Sequence, residues 1–86
     1  MPTISMFFGI VIRMYYDDHA PPHFHAYYGG DAVVIIIETL AVRDGQLPRR
    51  AMAMVREWAA AHREELLANW QSASVHNPLS KIAPLE

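Results

Sequence analysis

The run Ala32-Val33-Val34-Ile35-Ile36-Ile37-Glu38 predicts the central strand of the fold. Its apolar residues are mostly β-branched, which favours extended structure, and successive side chains of a strand point to opposite faces. Val33, Ile35 and Ile37 would therefore share one face, and apolar residues would also line the other. Since a helical layer can cover only one face, we expect the second to be covered by the C-terminal tail or by another chain.

Two earlier segments predict strands that precede the central one. Residues 6–16 are rich in β-branched and aromatic side chains, and Gly9 within them predicts a bulge or a close approach of two backbones. Residues 23–28 alternate in character, and Gly29-Gly30-Asp31 predicts a tight turn. Because the connections are short, the three strands are expected to form an antiparallel meander over residues 6–38.

After the meander, the spacing of apolar residues changes from that of strands to that of helices. Residues 48–74 are dominated by Ala, Met, Arg, Glu and Leu, which are good helix formers, and Pro48 suits the first turn of a helix. Either one long bent helix or two short helices would fit, with the second restarting near Arg63. Residues 75–86 are expected to form an extended tail that docks through Ile82.

Composition limits the function classes that the chain can serve. The 86 residues predict a single α+β domain, 1–86. With 52% hydrophobic and 19% charged residues, the chain is not a disordered tail, and its net charge of −2 argues against a protein that binds nucleic acid through bulk positive charge. The absence of cysteine excludes disulfides and thiolate chemistry. No basic segment precedes the apolar residues 6–12 and no stretch is long enough to span a bilayer, so we expect a cytoplasmic protein without membrane contact.

The densest group of polar side chains lies in the loop between the first two predicted strands and at the start of the second strand. In a strand over residues 23–28, His23, His25 and Tyr27 would project from one face. His19 and Asp18 on the preceding loop could complete a metal site, because zinc commonly takes imidazole and carboxylate ligands. The sequence therefore predicts a divalent metal site, such as a zinc site, at these residues. The alternative is that the imidazoles only hydrogen-bond to loop carbonyls and stack on tyrosines.

A metal-free hydrolytic site is a second interpretation of the same histidines. His23 and His25 could act as general acid and general base on a phosphodiester, with Arg13 stabilising the developing charge. This arrangement would be a ribonuclease site. Arg13 could instead lie on an edge strand or on the solvent face without a catalytic role.

Three arginines and a tyrosine are candidates for contact with nucleic acid or a partner protein. Arg49 and Arg50 lie at a predicted helix N-terminus, where the helix dipole disfavours cations, and Arg43 is close to them in sequence. Tyr27 could stack on a base, although packing within the sheet is the alternative. The arginines could equally be solvated side chains without a ligand.

Several motifs spread along the chain resemble those of a known family. They are Met1-Pro2-Thr3-Ile4-Ser5, Phe7-Phe8-Gly9-Ile10, Asp18-His19-x-Pro21-Pro22-His23-Phe24-His25, Leu47-Pro48-Arg49-Arg50-Ala51, Glu57-Trp58 and Pro78-Leu79-x-Lys81-Ile82-x-Pro84-Leu85. On these motifs the chain is similar to the small bacterial proteins of domain of unknown function 4160. The resemblance implies a partner protein rather than a chemistry, because genes of this family frequently lie beside another small reading frame, domain of unknown function 2442. Such pairs are often suspected to be toxin–antitoxin-like modules.

Two functional hypotheses follow from these features. The first is an interaction module that acts with a small cognate protein encoded nearby, as part of a toxin–antitoxin-like two-gene system, or that forms a homodimer. The second is a metal-binding protein or ribonuclease that uses His19, His23 and His25. The first depends on the apolar central strand and the family resemblance, and the second on the common direction of the imidazoles.

Overall fold

The protein is a five-stranded antiparallel sheet followed by two helices. The computed structural model describes residues 2–86, so Met1 of the predicted domain 1–86 lies outside the described residues. The sheet order within this part of the chain is β1-β2-β3-β4-β5, in which every strand pairs with its neighbours in sequence. The α+β class is confirmed, and the predicted number of three strands is wrong. The elements are β1 (Thr3–Phe7), β2 (Ile10–Arg13), β3 (His23–Tyr28), β4 (Asp31–Ile36), β5 (Val42–Gln46), α1 (Arg49–Ala61) and α2 (Arg63–Ser74).

The predicted first strand, residues 6–16, is part of a β-hairpin rather than one continuous strand. Phe8 and Gly9 form its turn, with φ angles of 50° and 79°. Positive φ at both central residues is typical of the two-residue turn whose twist matches that of paired strands. The bulge predicted at Gly9 is therefore wrong, because this glycine permits a reversal of the chain.

The predictions for the second and third strands are close to the structure. Strand β3 has the predicted bounds, and β4 begins one residue earlier and ends two residues earlier than the apolar run 32–38. Val33, Ile35 and Ile37 share the buried face, with exposures of 1%, 0% and 0%. The predicted grouping of these three residues on one face is confirmed, and the structure shows that this face is the one turned to the core.

Strand β5 has no counterpart in the prediction. All five of its residues are exposed, so it lacks the apolar alternation that marks a strand, and Asp44-Gly45 is a typical turn dipeptide. Gly45 adopts a φ of 75°, and a Cβ atom at this position would lie 2.2 Å from the carbonyl oxygen of Ala32. This close approach allows the strand to follow the irregular register between Val34 and Ile35.

The helical region consists of two helices that meet at His62, as the two-helix alternative predicted. Trp58 of α1 is fully buried. Its ring lies 5.4 Å from that of Phe7 and 5.9 Å from that of Phe24. The helices thus cover the face of the sheet that carries Phe24 and Ile35, and the core lies between these layers.

The C-terminal tail packs on the same side of the sheet as the helices. Ile82 is buried within the core, and its backbone N–H donates to the carbonyl of Ile4 at 2.8 Å. The indole N–H of Trp58 donates to the carbonyl of Ala83, also at 2.8 Å. The predicted docking through Ile82 is confirmed, but the tail does not cover the second face. Arg13, Tyr27 and other side chains of that face remain partly exposed.

Neither helix in the described part of the chain combines the length and the apolar character needed to cross a membrane.

Candidate metal centre

Strand β3 holds two histidines on the face of the sheet opposite Phe24, called the open face below, where Trp70 covers His23 and His25 is partly exposed. Phe24 is fully buried, so its neighbours in the strand, His23 and His25, point to the opposite face. Their rings lie 5.4 Å apart at the centroids, and the ring of His25 stacks on that of Tyr27 at 6.4 Å. The predicted common direction of the two imidazoles is confirmed.

Asp18 brings a carboxylate to these two rings from the loop before β3. Its Oδ2 atom lies 2.9 Å from Nε2 of His23 and 3.3 Å from Nε2 of His25. One ligand atom from each of these residues lies within 4.8 Å of the others. The exposed ring of His19 is outside this group, although its backbone N–H donates to Oδ1 of Asp18 at 3.0 Å. The structure thus assembles three of the four predicted ligands, and His19 orients the carboxylate through its main chain.

The environment of His23 fixes how its ring is used. The residue is only 3% exposed, and the ring of Trp70 from α2 packs against it at 5.0 Å. Its Nδ1 atom lies 2.8 Å from the carbonyl oxygen of Pro21, which can only accept a hydrogen bond. Nδ1 therefore carries a hydrogen and donates a hydrogen bond to the carbonyl oxygen of Pro21. The other ring nitrogen, Nε2, faces Oδ2 of Asp18 at 2.9 Å.

Electrostatics favours the ionisation states that metal ligands require. Burial raises the pKa of the Asp18 carboxyl, but the hydrogen bond from the His19 backbone and the contacts with His25 and His23 outweigh it and hold this pKa below its usual 3.8. Burial lowers the pKa of His25 below its usual 6.5, and this effect exceeds the rise caused by the hydrogen bond with Asp18. The positive charge of Arg43 lowers the same pKa further. Near neutral pH the site thus presents a carboxylate and a neutral imidazole, which are the metal-binding forms.

The three residues open onto a small cleft that also contains a cation. Arg43 of β5 places its Nη1 atom 3.2 Å from Nδ1 of His23. Because Nδ1 of His23 already donates its hydrogen to Pro21, it cannot accept a hydrogen bond from the guanidinium of Arg43. The cleft has a volume of about 220 Å³, and its lining residues are Asp18, His23, His25, Val34, Arg43 and Asp44.

The spacing of the three polar atoms suits one small divalent ion. Zinc bonds to nitrogen and oxygen are about 2.0–2.2 Å long, so two ligand atoms of a tetrahedral site lie roughly 3.3–3.6 Å apart. The separations of 2.9 Å and 3.3 Å between Asp18 and the two imidazoles are close to this range. Two imidazoles and one carboxylate form a common donor set for zinc and for other divalent transition metals.

Arg13 and Tyr27 adjoin the centre without being part of it. Arg13 is paired with His25 across β2 and β3, and its guanidinium carbon lies 5.3 Å from the centre of the Tyr27 ring. Its Nε–H donates to Oγ1 of Thr3 at 3.3 Å. Tyr27 in turn shares a hydrogen bond of 2.5 Å with the hydroxyl of Tyr15. The structure gives Arg13 packing and hydrogen-bonding partners within the sheet.

The remaining predicted arginines lie elsewhere. Arg49 and Arg50 are exposed in the first turn of α1. Arg50 lines a different cleft together with Phe8 and Tyr28. Arg43, which the sequence analysis grouped with these two arginines, lines the cleft of the metal centre instead.

Sequence reasoning missed two contributions to the centre because both arrive through tertiary packing. Trp70 lies in α2, far from the loop and strand of the centre in sequence, and nothing in its helical spacing indicates the contact with His23. Arg43 reaches the centre because β5 pairs with β4, and β5 itself was not predicted. A hydrophilic strand next to an apolar one has no periodic signal that could have identified it.

Comparison with known proteins identifies one family. The family model described as Domain of unknown function (DUF4160) matches residues 9–71, a range that includes Asp18, His23, His25 and Arg43. No curated protein and no solved structure is similar enough to match the chain.

Proposed function

The chain belongs to the DUF4160 family, and we propose that it binds one divalent metal ion, zinc in the first place, through Asp18, His23 and His25. The observation that carries this proposal is the convergence of two imidazole Nε2 atoms on a single carboxylate oxygen. A proton can serve one nitrogen–oxygen pair at a time. A metal ion, by contrast, binds all three residues from one point.

The hydrogen bond from His23 to Pro21 supports the same function. Histidines that bind a metal almost always donate their second ring N–H to a carboxylate, a carbonyl or water, which fixes the tautomer and the ring orientation. Nδ1 of His23 has this kind of partner at 2.8 Å. Trp70 excludes solvent from one side of the same ring. The ligand is therefore held in place before the ion arrives.

Three protein ligands leave a coordination position for water or a substrate, as in catalytic rather than structural zinc sites. The opening of the centre into a cleft on the sheet face is consistent with that arrangement. The centre would therefore serve as a reactive or ligand-binding site. Tail packing and the Trp58 core already hold the fold together without it.

Zinc titration of the metal-free protein tests the proposal. We expect one zinc ion per chain by equilibrium dialysis and elemental analysis. Asp18→Asn and His25→Gln should each weaken binding by more than the roughly 10- to 100-fold that loss of an outer-shell partner costs. The matched control is His19→Gln, which removes a neighbouring imidazole that lies outside the centre. Absence of zinc binding in the wild type, or equal losses in all three variants, would refute the proposal.

We also propose, as a second function, that the protein acts with a small partner protein. Met6 and Phe8 at the β1–β2 hairpin are 64% and 61% exposed, which is unusual for large apolar side chains. Phe8 also lines a cleft together with Tyr28 and Arg50. An apolar hairpin tip beside a cleft is suited to a protein contact, and the gene context of the family favours a small cognate protein as the occupant.

Co-expression with the neighbouring small reading frame tests this second function. We expect co-elution in size exclusion, lost in Phe8→Ser and retained in Tyr16→Ser, which alters an exposed aromatic residue away from the hairpin. Separate elution of the two proteins would contradict the proposal, and a larger species formed by this chain alone would indicate a homodimer instead.

The toxin–antitoxin-like role is part of this second proposal and has its own test. Induction of one protein of the pair should arrest growth, and its partner should relieve the arrest. If this chain is the toxic component and acts through the metal centre, His23→Ala should abolish the arrest. No arrest from either protein would exclude the role.

A further inference from the structure

We infer that the metal centre and Arg43 together bind the phosphate group of a larger ligand. This inference rests on the proposed metal function and adds the class of ligand to it. It depends on three features of the cleft: the unused donors of Arg43, the size of the space, and the change of charge when the metal binds.

Within the part of the chain that the structure describes, Arg43 lacks the backbone carbonyl partner that Arg56 and Arg63 have. Arg56 donates its Nε–H to the carbonyl of Leu40 at 3.4 Å, and Arg63 donates to the carbonyl of Ile37 at 3.1 Å. Among residues 2–86, Arg43 forms no salt bridge and donates to no carbonyl. Its one polar neighbour, Nδ1 of His23, already donates its proton to Pro21. The donors of its guanidinium are thus available to a ligand in the cleft.

The cleft accommodates a charged group rather than a whole metabolite. Its volume of about 220 Å³ lies below the roughly 300–1,000 Å³ of pockets that enclose drug-sized ligands. A guanidinium presents paired N–H donors that match two oxygens of one anion. A carboxylate has only these two oxygens, whereas a phosphate retains a further oxygen for the metal ion. Phosphate can therefore bind the guanidinium of Arg43 and the metal ion at the same time.

Charge makes the binding depend on the metal. Asp44 also lines the cleft, and its Oδ1 atom accepts a hydrogen bond from the backbone N–H of Gly45 at 2.9 Å. The carboxylates of Asp18 and Asp44 outnumber the one guanidinium that lines the cleft, so the metal-free cleft does not favour an anion. A divalent ion reverses this balance. The cleft should accept phosphate only after the metal has bound.

Calorimetric titration with inorganic phosphate tests the inference on zinc-loaded protein from which unbound zinc has been removed. We expect saturable binding by the wild type, a loss of about 10- to 100-fold in affinity for Arg43→Gln, and no detectable binding after treatment with a chelator. Arg49→Gln is the matched control, because it removes an exposed arginine in the first turn of α1 that does not line the cleft. Acetate should bind at least about tenfold more weakly than phosphate, since it cannot engage both cations fully.

A nucleoside 5′-monophosphate and a dinucleoside monophosphate distinguish the sources of the phosphate group. Binding of the first alone indicates a terminal phosphate, and binding of both indicates that a phosphodiester also fits.

Zinc content and zinc affinity, measured on the same samples, separate the two proposals. Full zinc occupancy without phosphate binding, or equal phosphate affinity in Arg43→Gln and the wild type, overturns the inference and leaves the metal function standing. Failure of the wild type to bind zinc overturns both. Phosphate binding that is equally strong in the metal-free protein overturns the dependence on the metal and with it the inference.

Discussion

The two faces of the sheet are made by the same strands but serve different purposes. In β3, Phe24 packs against Trp58 in the core, whereas its neighbours His23 and His25 converge on Asp18 at the other face. One face carries the packing that stabilises the fold, and the other carries polar side chains in geometry suited to a ligand. Because adjacent residues alternate between these roles, substitutions one position apart in β3 should have very different effects.

The largest difference is expected between Phe24→Ala and His25→Ala. Removal of a buried aromatic ring lowers the free energy of unfolding by about 3–5 kcal/mol. His25 is half-buried on the open face, so its substitution should change the stability of the metal-free protein by about 1 kcal/mol or less. Urea denaturation in the presence of a chelator measures both. Equal losses of stability would show that the open face also holds the fold together.

Zinc should stabilise the protein through the open face alone. A ligand present at 100 times its Kd contributes about 2.7 kcal/mol, which corresponds to a rise in Tm of roughly 10–20 °C for a domain of this size. Asp18→Asn should lose this shift and His19→Gln should keep it, as thermal melts with and without zinc would show. A shift that survives in Asp18→Asn would place the ion elsewhere.

Tyr27→Phe should produce a smaller effect on the same face. The substitution removes the hydrogen bond between the hydroxyls of Tyr27 and Tyr15 and leaves the ring that stacks on His25. Loss of one such bond costs about 0.5–1.5 kcal/mol of stability. Denaturant unfolding measures the cost, and zinc affinity should not change. A large loss of zinc affinity would show that the tyrosine pair positions His25.

The smallest effect concerns the pH dependence of the metal-free protein. Burial holds the pKa of His25 below 6.5 in the folded state, so the unfolded chain binds protons more readily. The contribution of His25 to stability is therefore fully present above pH 6.5 and is lost as the pH falls through its lowered folded-state value. The Asp18 carboxyl, with its pKa held below 3.8, acts in the same direction at lower pH. His25→Gln should flatten the curve of stability between about pH 7 and pH 5, and an unchanged slope would contradict the assignment to His25.

The parts of the fold that were predictable are those whose sequence carries a period. The alternation over residues 23–28 and the largely apolar run 32–38 identified β3, β4 and the residues that share a face in each strand. The hairpin at Phe8-Gly9 was missed because Phe is common in strands and a single glycine within a strand also suits a bulge, so only the positive φ angles show the turn. Strand β5 was missed because an exposed, hydrophilic edge strand has no apolar side to indicate it.

The metal centre was predictable only where its residues are close in sequence. Asp18, His23 and His25 lie within one loop and the strand that follows, so the i, i+2 spacing of the histidines was enough to bring them together. His19 lies outside the group that the structure brings together, because the direction of a loop side chain depends on the path of the backbone and not on residue type. Arg43 comes from an unpredicted strand, and Trp70 comes from a helix at the far end of the chain.

The packing of the tail bears on how far the folding unit extends. The matched family region ends at residue 71 and begins at residue 9, so it leaves out β1 and the whole tail. Yet Ile4 and Ile82 belong to the core and are joined by a backbone hydrogen bond, and Ala83 accepts the indole N–H of Trp58. A polypeptide trimmed to 9–71 should therefore show the poorly dispersed amide spectrum of an unfolded chain. Expression of this protein needs boundaries taken from the packed layers and not from the matched family region alone.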